Sequence, residues 1–166
     1  MSETELWRTL KITDPEASTI RGKLVQMGYP VTGLDKLEHF LIGIDGEVTR
    51  DDINSVGGLL VNPNKHLSLF PRYSSDESRG RFERSYNARV LVETDIDPEA
   101  VDAFGTLRDR FGYGNRVQYV RREIVWGINL NHSAGEESVR DYVHQLVQEP
   151  TYFFANPNFQ KSRVEF

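Results

Sequence analysis

The tetrapeptide "DPEA" occurs twice in the chain, at residues 14–17 and 97–100. Each copy holds two carboxylates close together, as a catalytic acid pair used in two places would. In a structural interpretation, the aspartate is a helix N-cap, the proline fits the first helical turn and the glutamate is stabilised by the helix dipole. These residues are Asp14, Pro15 and Glu16 in the first copy and Asp97, Pro98 and Glu99 in the second. We favour the structural interpretation, because it accounts for every position of the motif.

A locally basic stretch, "RYSSDESRGRFERSYNAR", begins at Arg72. Its arginines are candidates to hold a phosphate group or an acidic partner, and the residues concerned are Arg79, Arg81 and Arg84. The simpler interpretation is a solvated linker, because the stretch is rich in serine and has little periodicity. We favour the linker and place it at residues 73–86.

The stretch "YVRREIVWGI" holds the other candidate contact residues. Arg121 and Arg122 point to opposite faces of a regular strand, so at most one of them faces a given partner. Trp126 is either a binding anchor, since Trp and Arg are favoured at interface hot spots, or part of the core. Gly43 and Gly127 occupy matching places in the two halves, where a strand glycine marks a bulge or the close approach of another backbone.

Motifs of established catalytic chemistry are missing from the sequence. There is no Walker-type loop, no GxGxxG, no nucleophile elbow and no HExxH. The four histidines, His39, His66, His132 and His144, lack ligand spacing, and the absence of cysteine excludes thiol catalysis and cysteine-bound metals. We therefore predict no catalytic, metal-binding or cofactor-binding residues and no cofactor.

Length and charge limit the class of protein. With 166 residues and 38% hydrophobic residues, the chain fits one domain or two small, closely packed units. The net charge of −5 disfavours nucleic acid as a partner, and no apolar run is long enough to span a membrane. The polar, acidic N-terminus is unlike a signal peptide, and together with the lack of cysteine it predicts a cytoplasmic location.

The elements repeat in the same order on either side of the linker. Strand-like "ELWRTLKI" leads to a helix from Asp14, a strand pair or one long strand over "LDKLEHFLIGID", a helix capped by Thr49 and Asp52, and a strand "KHLSLF". After the linker come "ARVLVETDI", a helix from Asp97, the strands of "NRVQYVRREIVWGINLN", a helix capped by Ser133 and stopped by Pro150, and "NFQKSRVEF".

Three landmarks align the two halves. "DPEA" recurs after 83 residues, while "MGY" matches "FGY" and "IGI" matches "WGI" after 84 residues. We predict an α+β fold of two β-α-β-β-α-β units in tandem, with helices packed on a mixed or antiparallel sheet. The units are residues 1–72 and 87–166, on either side of the linker.

Each half resembles the PurS family, the small subunit of phosphoribosylformylglycinamidine synthase. The resemblance lies in "DPEA", a helix ending in "LVQMGY" and a helix ending in "LLVNP" before "HLSLF", and in "DPEAVDAFGTLRDRFGY" and "VRDYVHQLVQEP" of the second half. A departure lies in "LDKLEH" and "YVRREI", which lack the glycine of a "VRxGK"-like turn that is common in the family.

The resemblance implies a non-catalytic subunit that bridges the large synthase subunit and the glutaminase subunit in purine biosynthesis. It also implies a pseudo-twofold arrangement like a PurS dimer, since the family's chain is about half as long and a tandem fusion supplies both copies. Further association of whole chains into a homo-oligomer stays open.

Two other functions are compatible with the residues. One is a binding or regulatory module for a small anionic ligand outside purine synthesis, with Arg121, Arg122 and the linker arginines as contacts. The other is an enzyme whose carboxylate and histidine side chains are brought together only by the fold.

Overall fold

The computed structural model describes residues 1–73, 79–80, 82–131, 136–148 and 153–166, with the backbone alone at residues 136 and 137. The helices are α1 Pro15–Gln26, α2 Arg50–Leu60, α3 Pro98–Arg110 and α4 Glu136–Val147. The strands are β1 Ser2–Leu10, β2 Val31–Ile44, β3 His66–Leu69, β4 Ala88–Thr94, β5 Val117–Leu130 and β6 Gln160–Glu165. Within these residues, no helix combines the length and the apolar character that crossing a bilayer requires.

The strands form an antiparallel sheet with the order β3-β1-β2-β5-β4-β6. The predicted α+β class is therefore confirmed. Of the alternatives for the two central stretches, the structure has one long strand in each, β2 and β5 of 14 residues. A long strand can form hydrogen bonds along both of its edges. In the sheet order, β1 is the neighbour of β2, and β4 is the neighbour of β5.

The helix starts follow local chemistry. The Asp14 carboxylate accepts hydrogen bonds from the backbone N–H groups of Glu16 and Ala17 at 2.9 and 3.1 Å, and Pro15 begins α1. Asp97 caps α3 in the same way, at 2.9 and 3.3 Å. Thr49 and Asp52 form the capping box expected at α2. Ser133 and Pro150, expected at the two ends of α4, lie outside the described residues.

By their internal contacts, the described residues form two compact units. Unit 1 consists of Met1–Lys11, Glu38–Arg84 and Ile96–Glu123. Unit 2 consists of Ile12–Leu37, Ser85–Asp95 and Ile124–Phe166. Each unit takes one helix from each half of the sequence: α2 and α3 belong to unit 1, and α1 and α4 to unit 2. Each compact unit therefore contains segments from both of the predicted sequence halves, 1–72 and 87–166. The division into these halves describes the sequence repeat and stays a prediction.

Each unit has its own apolar core. In unit 1, strand side chains pack against the inner faces of α2 and α3, and the buried residues are Leu6, Phe40, Ile42, Ile44, Val56, Leu60, Ala103, Leu107, Tyr113 and Val117. In unit 2, the corresponding layer involves α1 and α4, with Ala17, Ile20, Leu24, Val90, Val92, Trp126, Ile128, Val139, Val143 and Leu146 among the buried residues. These helices therefore remain in place through burial of one face of each, and not through helix propensity alone.

A turn with the sequence Asn-Pro-Asn precedes both β3 and β6. In each turn, the N–H of the first asparagine donates to the side chain that begins the next strand, and its own side chain accepts from the N–H of the second asparagine. The bonds are Asn62 N to His66 Nδ1 (3.0 Å) and Asn64 N to Asn62 Oδ1 (3.0 Å) in the first turn, and Asn156 N to Gln160 Oε1 (2.7 Å) and Asn158 N to Asn156 Oδ1 (3.0 Å) in the second. The two turns therefore share one hydrogen-bond pattern.

Gly43 and Gly127 each lie beneath a tyrosine ring. A Cβ atom at Gly43 would overlap the Tyr119 ring, and one at Gly127 would overlap the Tyr86 ring. The Tyr119 hydroxyl is hydrogen-bonded to Glu3, so its ring is held over the glycine. The close approach expected from the sequence is thus made by a side chain, whereas the sequence suggested another backbone.

Replacing Gly43 with alanine is expected to lower the free energy of unfolding by at least about 1 kcal/mol, because the Tyr119 ring must move and lose its bond to Glu3. Gly105 is the matched control: it lies in α3 with open space around it. There alanine is expected to raise the free energy of unfolding by about 0.5–1 kcal/mol through its better helix propensity. Urea unfolding followed by circular dichroism measures both, and equal stabilities of the two variants would contradict the steric role of Gly43.

Candidate functional site

Five charged residues of unit 1 form one network, which we call the arginine–carboxylate cluster: Arg8, Glu38, Asp97, Glu99 and Arg122. The Arg8 guanidinium binds Glu38 through two hydrogen bonds of 2.5 and 3.0 Å, and Glu99 Oε2 at 2.8 Å. Arg122 binds Asp97 Oδ2, Glu38 Oε1 and Glu99 Oε2 at 2.7–2.8 Å. Glu38 and Glu99 are thus each shared by both guanidinium groups.

The cluster joins elements that are far apart in the chain. Arg8 lies on β1, Glu38 on β2 and Arg122 on β5, while Asp97 and Glu99 lie at the start of α3. Asp97 uses both carboxylate oxygens, because Oδ1 caps α3 and Oδ2 binds Arg122. Arg8 also donates to the Leu60 carbonyl at 2.6 Å. The helix start and three strands are therefore tied together by charge-assisted hydrogen bonds.

The cluster is poorly suited to acid–base chemistry. Burial alone would lower the pKa of Arg122, but its hydrogen bond to Asp97 and the charges of Glu99, Asp97 and Glu38 raise it above the usual value. Arginine is always protonated in proteins, and both guanidinium groups donate their N–H groups to carboxylates of the cluster. All five side chains are engaged in hydrogen bonds within the cluster, and Asp97 also caps α3, so the geometry favours a structural role for the second DPEA motif.

His66 lies near the cluster, and its pKa is lowered from the usual value of a histidine. Burial is the main cause of its lowered pKa, and the positive charge of Arg8 adds to it, against the opposite effect of Glu38. Its Nδ1 atom accepts the hydrogen bond from Asn62 N–H, so the ring proton of the neutral form is on Nε2. This geometry fixes the imidazole as part of the Asn-Pro-Asn turn.

One described histidine meets the geometric condition for a carboxylate–histidine pair. His39 Nε2 lies 3.2 Å from Glu5 and Nδ1 lies 3.4 Å from Glu123, and the ring stacks on Trp7 with centroids 4.1 Å apart. Both ring nitrogens face carboxylates of the same unit. Neither nitrogen is therefore left to exchange a proton with a substrate, and the geometry favours a structural role.

Unit 2 contains a cavity of about 430 Å³, which we call the aromatic cavity. Its lining residues are Glu16, Lys36, Val92, Ile124, Trp126, Phe153, Phe154, Asn156 and Gln160. Trp126 is 3% exposed and packs edge-on against Phe154 at 5.6 Å between ring centroids. Lys36 Nζ binds Glu16 at 2.5 Å and lies 5.7 Å from the Trp126 ring centroid. Trp126 is thus both part of the core and one wall of a cavity.

Of the remaining predicted contact residues, Arg79, Arg84 and Arg121 belong neither to the arginine–carboxylate cluster nor to the described lining of the aromatic cavity. Arg79 donates to the Pro71 carbonyl and lies 3.7 Å from Glu83. Arg84 is exposed, and Arg81 lies outside the described residues. Arg121 is exposed and lies 4.8 Å from the Tyr119 ring centroid, whereas Arg122 belongs to the cluster, so the two do point to opposite faces.

Sequence reasoning missed Arg8, Glu38 and Lys36. A signal for the first two was present, because both occupy strand positions whose two-residue alternation places them on the apolar face. Arg8 follows buried Leu6 by two residues, and Glu38 precedes buried Phe40 by two. A charged side chain at such a position is costly unless it is paired, which predicts a partner across the core. Among the described residues, no group of three or more side chains is arranged to hold a metal ion.

Comparison with known proteins adds no relative to this picture. No family model matches the chain, and no curated protein matches it. The resemblance to the PurS family therefore rests on the residues alone.

Proposed function

We propose that the chain is a non-catalytic, PurS-like assembly subunit of a glutamine-dependent phosphoribosylformylglycinamidine synthase. In this proposal it is a tandem fusion of two β-α-β-β-α-β units arranged as a PurS dimer would be. It bridges the large synthase subunit and the glutaminase subunit in the cytoplasm, and it binds no cofactor.

The repeated Asn-Pro-Asn turn is the observation that carries the proposal. The helix caps at Asp14 and Asp97 can be explained by a common local motif, but the turns add a second shared pattern late in each half. The backbone bonds beside the turns also agree, from Lys11 N to Lys65 O and from Asp95 N to Phe159 O, at 2.8 and 2.9 Å. Two copies of one ancestral unit account for all of these features together.

The composition of the two units gives further support. Each unit combines a helix of one sequence half with a helix of the other, as expected when two copies that once dimerised are joined in one chain. The arginine–carboxylate cluster agrees with a structural subunit, since its five side chains are bound to one another by hydrogen bonds.

Reconstitution with the two partner subunits tests the proposal. We expect glutamine-dependent synthase activity to require this chain, while activity with ammonium chloride as the nitrogen source depends on it much less. The ammonium reaction is the control, because it shows that the large subunit is active in the same mixture. Full glutamine-dependent activity without the chain, together with no binding to either partner, would overturn the proposal.

A small-ligand binding module is the second candidate, and the aromatic cavity favours it. A volume of about 430 Å³ lies within the range of small-molecule sites, and the cavity combines aromatic and aliphatic side chains with the polar groups of Glu16, Lys36, Asn156 and Gln160. The anionic ligand expected from the sequence has weaker support. Arg122 already has three carboxylate partners, so an anion would have to displace them.

A further inference from the structure

The sheet register shows that Arg8 of unit 1 and Val92 of unit 2 occupy corresponding positions. Next to the Asn-Pro-Asn turns, Leu10 pairs with His66 in one unit and Thr94 pairs with Gln160 in the other. Two residues earlier on β1 and β4, Arg8 pairs with Ser68 and Val92 pairs with Ser162. The residue pairs correspond step by step along the strands.

The surroundings of these two positions also correspond. The Arg8 side chain contacts Glu99, Phe40 and the Leu60 carbonyl, and its charge acts on His66, which accepts the hydrogen bond from Asn62 N–H. The residues at the same places in unit 2 are Glu16, Ile124, Phe154, Asn156 and Gln160, and all five line the aromatic cavity together with Val92. The aromatic cavity of unit 2 therefore corresponds to the space that the Arg8 side chain fills in unit 1.

In unit 1, the guanidinium at this place has a defined set of contacts. It lies 4.9 Å from the Phe40 ring centroid, donates to the Leu60 carbonyl at 2.6 Å and binds Glu99 at 2.8 Å. Glu99 Oε2 also accepts from Arg122 at 2.7 Å, so one carboxylate lies between two cations. Unit 1 thus shows that a guanidinium group fits the space that corresponds to the aromatic cavity.

In unit 2, the corresponding carboxylate, Glu16, is paired with one cation among the described residues. Glu16 binds Lys36, and Val92 ends far short of the position that a guanidinium would reach. The rings of Trp126 and Phe154 provide the aromatic surface that attracts planar cations. We propose that the aromatic cavity binds the guanidinium group of a small molecule, with Glu16 between the ligand and Lys36. The inference does not depend on the assembly role.

Binding is expected to be modest in strength. The cluster in unit 1 balances two guanidinium groups with three carboxylates, whereas Glu16 is the one carboxylate among the described residues that line the aromatic cavity. The Lys36 ammonium adds repulsion that the ligand must overcome. A neutral ligand of the same shape loses the attraction to Glu16 and should bind more weakly still.

Propylguanidinium and neutral propylurea are suitable probes, with titrations followed by calorimetry or NMR. We expect propylguanidinium to bind at least about tenfold more tightly than propylurea, because a charged hydrogen-bond pair is lost in the urea. Glu16→Gln is expected to weaken propylguanidinium binding by a similar factor. Glu93→Gln, an exposed change next to Val92 on β4, is the matched control and should leave binding unchanged.

Val92→Arg provides the sharpest test, because it recreates the arrangement of Arg8 within unit 2. We expect this variant to lose propylguanidinium binding and to melt at a higher temperature than the wild type. Retained binding in a folded Val92→Arg protein, or equal affinity for the urea and the guanidinium, would overturn the proposal. If Val92→Arg does not fold, the comparison of Glu16→Gln with Glu93→Gln tests the proposal instead. Equal propylguanidinium affinities of these two variants would then overturn it.

A final comparison distinguishes a small molecule from an arginine side chain of a protein. Propylguanidinium is titrated in parallel with a short arginine-containing peptide. Equal affinities support the small-molecule ligand. If the peptide binds at least about tenfold more tightly, through contacts beyond the guanidinium, the small-molecule ligand is rejected in favour of an arginine side chain of a protein.

Discussion

Replacing Arg8 with methionine is expected to lower the free energy of unfolding by about 3 kcal/mol. Methionine restores much of the apolar stem, but Glu38 and Glu99 lose one of their two guanidinium partners and the Leu60 carbonyl loses its donor. The Arg8 and Glu38 side chains are only 11% and 17% exposed, so water replaces these bonds poorly. Arg122 still neutralises part of the charge, which keeps the loss at the low end for a broken buried pair.

Urea unfolding at pH 7 measures this loss, and Arg108→Met is the matched control. Arg108 is paired with Asp109 at 3.0 Å, but both side chains are about half exposed or more, so its replacement should change stability little. A double-mutant cycle with Glu38→Gln separates the pairing from the packing of the Arg8 stem. No coupling between the two changes, or equal effects of Arg8→Met and Arg108→Met, would show that the cluster does not stabilise the fold.

Replacing Asp52 with alanine is expected to cost about 3 kcal/mol, the sum of a lost capping box and of buried partners left without an acceptor. Asp52 is 4% exposed. Its carboxylate accepts from Thr49 N–H at 2.8 Å, and from Arg116 at 3.3 and 3.4 Å. The Tyr113 hydroxyl is a further hydrogen-bond partner. Asp51→Ala, an exposed change one residue earlier in the same helical turn, is the control and should have a small effect.

The contribution of Asp52 is expected to depend on pH in one direction. Burial alone would raise its pKa, but the bonds from the Thr49 backbone, Tyr113, the Thr49 hydroxyl and Arg116 together lower it below the usual 3.8. A carboxyl with a lowered pKa in the folded protein stabilises it above pH 3.8, and this stabilisation is lost as pH falls further. The stability difference between wild type and Asp52→Asn should therefore narrow below that pH. A difference that stays constant from pH 7 to pH 2.5 would contradict the lowered pKa.

Features set by neighbouring residues were predictable from the sequence. The starts of α1 and α3 depend on an aspartate and a proline in adjacent positions, and the start of α2 on Thr49 and Asp52 three residues apart. The strands followed from alternation, although their joining into single strands of 14 residues did not. Hydrogen bonds within one turn of a helix suffice for the caps, so no knowledge of the tertiary fold is needed.

The arginine–carboxylate cluster was beyond such reasoning, because its members are distant in sequence. Arg8 is 30 residues from Glu38 and 91 residues from Glu99. From the sequence, Glu99 has a sufficient explanation in the helix dipole, and nothing nearby indicates that two arginines converge on it. The aromatic cavity could not be predicted from the sequence for the same reason. It depends on Val92 occupying the position in unit 2 that Arg8 occupies in unit 1.

The exchange of segments between the two sequence halves has a consequence for how the chain folds during synthesis. Unit 1 needs Met1–Lys11 and also Ile96–Glu123, and unit 2 needs Ile12–Leu37 together with Ile124–Phe166. Neither core can close until the ribosome has made most of the chain, so α1 and β2 emerge long before their partners. Contacts this distant are slow to form, and the apolar faces of the first half stay open in the meantime. We therefore expect the chain to be most prone to aggregation, and most dependent on a chaperone, while only its first half has been synthesised.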